Sequence, residues 1–142
     1  MTPLCFFCDI HKEDDDQKIA ENDHFYARFD DVPVNKGHAI LFPKNHVESI
    51  LDLAEEELAP MFCLVKQVKE KIGEKYEDIA GWNIGADEGE AAGEFFNHFH
   101  FHIIPRYKGE KKHEGIRSVL DANDYRETIK TRFKNRIKYV ED

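Results

Sequence analysis

The chain has 142 residues, of which 41% are hydrophobic and 12% aromatic, and it carries a formal net charge of −9. This length and apolar content suit one folded domain with a single core, whereas the acidic balance argues against binding a nucleic-acid backbone through a basic surface. No segment reaches the roughly 18 apolar residues of a membrane span, and the N-terminus lacks the pattern of a secretory signal, so we expect a cytoplasmic protein that does not enter a membrane.

The first motif along the chain is the Cys-x-x-Cys sequence Cys5-Phe6-Phe7-Cys8. Taken alone, this spacing fits a zinc site, a redox pair or coincidence. In a reducing compartment, the three cysteines of the chain do not indicate a disulfide framework. A zinc site needs two further ligands, and histidines are the natural candidates because the chain has no second Cys-x-x-Cys pair.

Hydrophobic periodicity predicts the elements in the middle of the chain. Short apolar runs ended by turn residues indicate strands, and apolar residues at steps of three and four indicate one long amphipathic helix. At Pro60 we expect a kink, or a short helix that leads into a longer one, and at Cys63 a buried structural thiol. In chain order, the predicted segments are a solvated loop over 11–23, strands over 25–29 and 38–42, a helix over 54–75 and a strand over 80–85.

The most informative stretch follows a glycine-containing loop over 86–93, whose backbone is able to approach a ligand closely. A strand predicted over 95–104 would place three imidazoles on one face and two phenylalanines on the other. Such a row of imidazoles suits metal binding, anion binding, or the transfer of protons and phosphoryl groups; chance alternation is the bland interpretation. The alternating residues are His98, Phe99, His100, Phe101 and His102.

The end of the chain shows apolar residues at helical spacing over 121–139, after a charged connection. The elements together predict one α+β domain. Its sheet is mostly antiparallel, with one long helix packed on it and a C-terminal helix at the end of the chain.

Several segments, in this order and spacing, resemble the histidine triad (HIT) family, and within it the bacterial nucleotide hydrolases. The resemblance covers about residues 4–108 and implies a HIT-like fold with a five-stranded sheet. The HIT domain would then span 1–108, and 109–142 would be a mostly helical extension of the same unit. The segments that carry the resemblance are 30–38, 42–46, 83–85, 92–94 and 98–106.

The resemblance implies a chemical role for the histidines. His100 would attack the α-phosphorus of a nucleotide and form a covalent nucleotidyl-imidazole that water then hydrolyses. His102 and His38 would hold the phosphate and position the nucleophile, whose tautomer a neighbouring backbone carbonyl would fix. The nucleotide-binding positions that it implies are Asp30, Asp31, Asp87, Gly93, Glu94 and Phe95.

The resemblance also implies a structural zinc ion and a homodimer. The four zinc ligands would be Cys5, Cys8, His46 and His98. Such a closed site has no open position for water, so it would attach the N-terminus to the sheet and take no part in the chemistry. The family joins two sheets edge to edge, which also hides an edge strand.

The leading hypothesis is a nucleotide hydrolase or transferase that acts at the α-phosphate of a dinucleoside polyphosphate or a nucleoside phosphoramidate and releases a nucleoside monophosphate. Glu94 stands where the family usually has Gln, and Phe95 where it usually has Ser or Thr. These departures motivate a second hypothesis, a nucleotide-binding or sensing protein with little catalysis. A third is a zinc hydrolase whose metal is held by His98, His100 and His102.

Overall fold

The computed structural model describes residues 5–110 and 131–132. The elements are α1 (Phe6–Ile10), β1 (Lys18–Glu21), β2 (Phe25–Phe29), β3 (Ala39–Pro43), α2 (Glu55–Lys75), β4 (Ile79–Gly85) and β5 (Phe101–Tyr107), with short 3-10 turns at Ile50–Asp52 and Glu90–Ala92. The five strands form one antiparallel sheet in the order β1-β2-β3-β5-β4. This architecture confirms the predicted α+β class.

The predicted C-terminal helix over 121–139 falls outside the described residues, apart from 131–132, which are helical. No helix in the part of the chain that the structure describes is long and apolar enough to cross a membrane.

The two faces of the sheet have different partners, because side chains alternate along each strand. One face packs on α2 through Ala27, Leu41, Ile103, Leu64, Val68 and Ile72. The other face packs on α1 through Tyr26, Ile40, Phe42, Phe6 and Phe7. Ile40 lies opposite His102 in the pairing of β3 with β5. His102 therefore lies on the α1 face of the sheet.

Helix α2 confirms the predicted long helix. The side chain of Glu57 accepts the backbone N–H of Ala54 at 3.0 Å, which satisfies one donor at the helix start. The helix continues through Pro60, whose carbonyl accepts the Asn22 side-chain amide at 3.0 Å. The predicted buried thiol is wrong, because Cys63 lies on the solvent side of α2 and is exposed.

The predicted solvated loop over 11–23 is wrong in two respects. It contains the edge strand β1, and it contains a buried carboxylate at Asp15. The Asp15 carboxylate accepts Arg28 Nε at 2.9 Å and the Tyr26 hydroxyl at 2.8 Å. Burial raises the pKa of Asp15, but the hydrogen bonds from Arg28 and Tyr26 outweigh it and hold the pKa below its ordinary value. A buried guanidinium needs such an anionic partner.

Candidate active site and metal centre

The three histidines of the motif lie together, but only His102 belongs to a strand. The predicted strand over 95–104 is wrong in its first half, because β5 begins at Phe101. Before that point the Phe99 N–H donates to the Val47 carbonyl at 2.7 Å, outside the sheet. The backbone is therefore free to turn each of the three buried imidazoles toward a different partner.

The His100 ring is held by its own backbone neighbour. Its Nδ1 lies 2.8 Å from the carbonyl oxygen of His98. A carbonyl oxygen only accepts hydrogen bonds, so Nδ1 carries the proton and Nε2 keeps its lone pair. Burial lowers the pKa of His100, which keeps the ring neutral near pH 7. A neutral imidazole with a free Nε2 has the form that a nucleophile requires.

His38 orients His102 through a directed chain of hydrogen bonds. The Val34 backbone N–H donates to His38 Nδ1 at 3.0 Å, so the proton of His38 is on Nε2. That Nε2–H then donates to His102 Nδ1 at 2.9 Å. Burial lowers the pKa of His38 to about 3, and burial also lowers the pKa of His102, so both rings are neutral. His102 is left with an Nε2–H donor.

One pocket brings most of the predicted site residues together. The pocket is partly open, and its volume together with the adjoining solvent is about 540 Å³. His38 is not among its lining residues and lies behind His102. The predicted residues in the lining are Asp30, Asp31, Asp87, Gly93, Glu94, Phe95, His100 and His102.

Five further lining residues were missed by the sequence reasoning. Two of them are the residues between the cysteines, and the spacing of that motif was the one available signal for them. The others lie on β2, on β3 and before the histidine segment, in places that hydrophobic periodicity assigns to the core. The five are Phe6, Phe7, Arg28, Ile40 and Phe96.

Two carboxyl groups of the pocket have strongly altered acidity. Burial raises the pKa of Asp30 to about 7, although the Val32 N–H donates to its Oδ1 at 2.8 Å. Burial also raises the pKa of Glu94 to about 7. The Gly89 N–H donates to Glu94 Oε1 at 3.2 Å, while Oε2 is buried and has no hydrogen-bond partner among the described residues.

A second group of side chains has the composition of a metal centre. The ligand atoms of Cys5, Cys8, His46 and His98 all lie within 4.8 Å of one another. The Sγ atom of Cys8 is 3.3 Å from His46 Nδ1 and 3.5 Å from His98 Nδ1. A tetrahedral zinc ion with bonds of about 2.3 Å to sulfur and about 2.0 Å to nitrogen places such atoms about 3.5 Å apart.

His98 is prepared for this role by its second ring nitrogen. Its Nε2 donates to the Pro43 carbonyl at 2.6 Å, which leaves Nδ1 as the atom that faces Cys5 and Cys8. A hydrogen bond of this kind fixes the tautomer of a metal-binding histidine. The donor set of two thiols and two imidazoles fits zinc.

The third hypothesis, a zinc ion held by His98, His100 and His102, finds no support in this geometry. Those three do not form a convergent group among the described residues. Asp30, His38 and His102 do converge, but the hydrogen bond between the two imidazoles already uses the atoms that face each other.

Comparisons with known proteins identify the family of the chain. A family model described as the HIT domain matches residues 11–109. An adenosine 5'-monophosphoramidase of Schizosaccharomyces pombe is 38% identical over 103 residues, covering 72% of this chain and 74% of that protein.

Solved structures of histidine triad proteins share the fold of this chain. A HIT family protein from Bacillus subtilis has a TM-score of 0.68 at 28% identity, covering 96% of this chain and 99% of that one. A zinc-bound histidine triad family protein from Mycobacterium smegmatis has a TM-score of 0.67 at 28% identity, covering 78% and 81%. From the matched domain, the shared fold and the arrangement of its histidines, the chain belongs to the histidine triad (HIT) family.

Proposed function

We propose that the protein is a nucleotide hydrolase or transferase that acts at the α-phosphate of a dinucleoside polyphosphate or a nucleoside phosphoramidate and releases a nucleoside monophosphate. The observation that carries this proposal is the His100 imidazole, which lines the pocket with its Nδ1 proton held by the His98 carbonyl. The His100 and His102 rings lie 5.1 Å apart between centroids, and both line the pocket. A nucleophile and a donor for phosphate oxygens are thus side by side.

The proposed reaction has two steps. In the first, the lone pair of His100 Nε2 attacks the α-phosphorus, a P–N bond forms, and the bond to the leaving group breaks. In the second, water attacks the phosphorus and loses a proton, and the electron pair of the P–N bond returns to Nε2. The Nε2–H of His102 stabilises the negative charge on the phosphate oxygens in both transition states.

The other pocket residues would bind the nucleotide. We assign the ribose or the base edge to Asp30 and Asp31, and the ribose or phosphate to Asp87. Gly93 adopts φ +102, a conformation that favours glycine, and its N–H donates to the Glu90 carbonyl at 3.0 Å. Its contribution would be the close approach of backbone without a side chain to the ligand. Glu94 and Phe95 would complete the phosphate side of the pocket.

We propose in addition that zinc occupies the group of Cys5, Cys8, His46 and His98 and has a structural role. All four coordination positions are taken by protein atoms, so no water is activated there. The ion would attach α1 to the segments that follow β3 and precede β5. The zinc-bound relative from Mycobacterium smegmatis supports this proposal.

We propose that two copies of the chain form a homodimer through their β4 strands. β4 lies at one edge of the sheet, and its Ile84 side chain is 43% exposed. Leu58 and Phe62 on α2 are exposed as well. An unpaired edge with exposed apolar residues favours pairing with a second copy.

The test is a His100→Ala variant incubated with adenosine 5'-(p-nitrophenyl phosphate), an activated substrate. Wild-type protein should release p-nitrophenol and acquire an adenylyl group on His100 that mass spectrometry detects after rapid quenching. The variant should lose turnover and the adduct but keep its metal content. His24→Ala, which alters an exposed histidine outside the pocket, is the control. Turnover in His100→Ala would refute the proposed role of His100, and tight nucleotide binding without turnover in wild type would favour a sensor.

A further inference from the structure

The connection between β4 and β5 contributes a buried acid to the pocket. Glu94 is 5% exposed, and its Oε2 has no hydrogen-bond partner among the described residues. Its Oε1 is engaged by the Gly89 N–H, which fixes the carboxyl group in place. A buried polar atom without a partner costs free energy, so an oxygen held in this way in a ligand pocket indicates a contact with the ligand.

The charges around the pocket are unsuited to an anionic leaving group. Among the residues that the structure describes, four carboxyl groups line it and Arg28 is the one Lys or Arg side chain in the lining, while Arg132 donates to the backbone carbonyl of Asp31 at 2.6 Å. The Arg28 guanidinium is already paired with Asp15 and Asp31. A polyphosphate leaving group brings several negative charges, which proteins normally hold with unpaired cations or metal ions. The lining carboxyl groups are Asp30, Asp31, Asp87 and Glu94.

Few other groups in the pocket are able to protonate a leaving group. Phe95 has no donor. His102 has an Nε2–H, but its ring is neutral and its N–H is a hydrogen-bond donor and not an acid. Asp30 accepts the Val32 N–H, and its Oδ2 lies 3.5 Å from His38 Nε2, beside the histidine pair. Among the described residues of the lining, Glu94 is the carboxyl group with a buried oxygen that has no hydrogen-bond partner.

We propose that Glu94 is the proton donor to the leaving group, and that the protein therefore prefers nucleotides whose leaving group is an amine over dinucleoside polyphosphates. This inference rests on the proposed function and assigns Glu94 a catalytic role in it. An amine leaving as its anion is prohibitively basic, so cleavage of a phosphoramidate P–N bond needs a proton on nitrogen. A polyphosphate leaves as a stable anion and needs none.

The proton balance closes over the two steps. As His100 Nε2 attacks phosphorus, the electron pair of the substrate P–N bond moves to nitrogen, which takes the proton from Glu94 Oε2. The free amine departs and Glu94 is left as a carboxylate. Water then attacks the nucleotidyl-imidazole and gives a proton to Glu94, and the electron pair returns to His100. Glu94 thus acts first as an acid and then as a base.

The electrostatics around Glu94 agree with a proton carried at neutral pH. Burial, together with the neighbouring carboxylates of Glu48, Glu88 and Asp87, raises its pKa to about 7 against the opposing Gly89 N–H. His100, in the same pocket, is neutral. A pKa near the working pH is the value at which a group serves best as both acid and base.

The experiment compares wild type with Glu94→Gln on three probes: an adenosine 5'-phosphoramidate of a simple alkylamine, adenosine 5'-(p-nitrophenyl phosphate), and diadenosine tetraphosphate. Gln has nearly the shape of Glu and keeps an oxygen for the Gly89 N–H, but it has no acidic proton. We expect kcat/KM for the phosphoramidate to fall by about 100-fold or more, as when a general acid is lost. For the p-nitrophenyl ester, kcat/KM reports only the first step and should fall far less, because p-nitrophenolate leaves without a proton. We expect kcat/KM for the tetraphosphate to rise above that of wild type.

A series of phosphoramidates with amines of increasing basicity supplies a second readout. Loss of a proton donor makes the rate more sensitive to leaving-group basicity, which a purely structural role would not do. Glu90→Gln, an exposed carboxylate in the same connection, is the matched control and should behave as wild type. The inference is overturned if Glu94→Gln lowers kcat/KM equally for the phosphoramidates and the p-nitrophenyl ester, or lowers it for neither. Failure of wild type to hydrolyse even the activated ester instead overturns the proposed function.

Discussion

At the scale of single residues, the three histidines of the motif differ in the partner of one ring nitrogen. His98 has the Pro43 carbonyl, His100 has the His98 carbonyl, and His102 has the His38 imidazole. Each partner sets which nitrogen carries the proton, and the remaining nitrogen sets the chemistry. Identical side chains thereby become a metal ligand, a nucleophile and an oxyanion donor in our proposal.

Replacing His38 should affect catalysis through His102. In His38→Ala, His102 Nδ1 loses its donor, so the ring no longer has a fixed tautomer with Nε2–H in the pocket. We expect kcat to fall by about 100-fold, as when one transition-state donor is removed, with little change in bound metal. His38→Gln places an amide N–H near the former Nε2 and should recover part of the rate. Steady-state kinetics of wild type, His38→Ala and His38→Gln test this prediction. An unchanged kcat in His38→Ala would contradict the orienting role of His38.

Glu94 should also make stability depend on pH. Its pKa of about 7 in the folded protein lies above the ordinary value of 4.5, so between these values the unfolded chain ionises while the folded protein stays protonated. The free energy of unfolding of wild type should therefore fall relative to Glu94→Gln as pH rises from about 4.5 to 7, by on the order of 2 kcal/mol. Urea denaturation of both proteins across this range is the measurement. Parallel curves would show that the folded pKa is ordinary.

At the scale of elements, helix α1 links the metal centre to the pocket. Cys5 and Cys8 flank Phe6 and Phe7, and both phenylalanines line the pocket. The Phe7 ring lies 4.9 Å from the His100 ring between centroids. A helix of five residues has little stability of its own, so its position depends on its packing and on whatever the two thiols bind.

Loss of one thiol ligand should therefore weaken both metal binding and the pocket. In Cys8→Ser we expect bound zinc to be lost, the thermal midpoint to fall, and nucleoside monophosphate to bind about tenfold more weakly, within the range for loss of one supporting interaction. Cys63→Ser is the matched control, because that thiol is exposed on α2 and outside the ligand group. Metal analysis measures the bound zinc, thermal unfolding the midpoint, and titration calorimetry the affinity for the nucleotide. Full zinc content in Cys8→Ser would rule out the assigned ligands.

At the scale of the whole molecule, the two edges of the sheet differ. β1 forms one edge and carries the exposed Lys18, a charge that opposes edge-to-edge association. β4 forms the other edge, with the half-exposed Ile84. The proposed dimer uses the β4 edge alone, which gives a closed assembly of two copies.

A charge placed on the β4 edge should separate the copies. Ile84→Asp puts a carboxylate into the proposed interface in both copies, so like charges meet across it and the dimer dissociates. Lys18→Asp, at the opposite edge, should leave the assembly unchanged. Light scattering after gel filtration gives the mass of each protein. A monomeric wild type, or a dimeric Ile84→Asp, would refute an interface at β4.

Much of the fold follows from the sequence, because α2 and strands β2, β3 and β4 have strong hydrophobic periodicity and clear turn residues at their ends. Residues such as Asp30, Asp87 and Glu94 were assigned to the site through a recognisable order of motifs. Arg28 and Asp15 were not assigned to the site or to the core, because a buried ion pair between residues distant in sequence produces no periodic pattern. The start of β5 at Phe101 was not predicted either, since the Phe99 N–H just before it bonds to the Val47 carbonyl, a contact between segments distant in sequence.

The buried pair of Asp15 and Arg28 limits how the surface of this protein can be re-engineered. The connection between α1 and β1 has the composition of a tolerant surface loop, and a designer would choose it for shortening or for inserting a tag. Removing Asp15 would take away the shorter of the two ion pairs of Arg28 and leave the guanidinium with Asp31 at 3.3 Å, which would destabilise the fold beside the pocket. An insertion into this loop is therefore tolerated only where it keeps the Asp15 carboxylate in contact with Arg28 on β2.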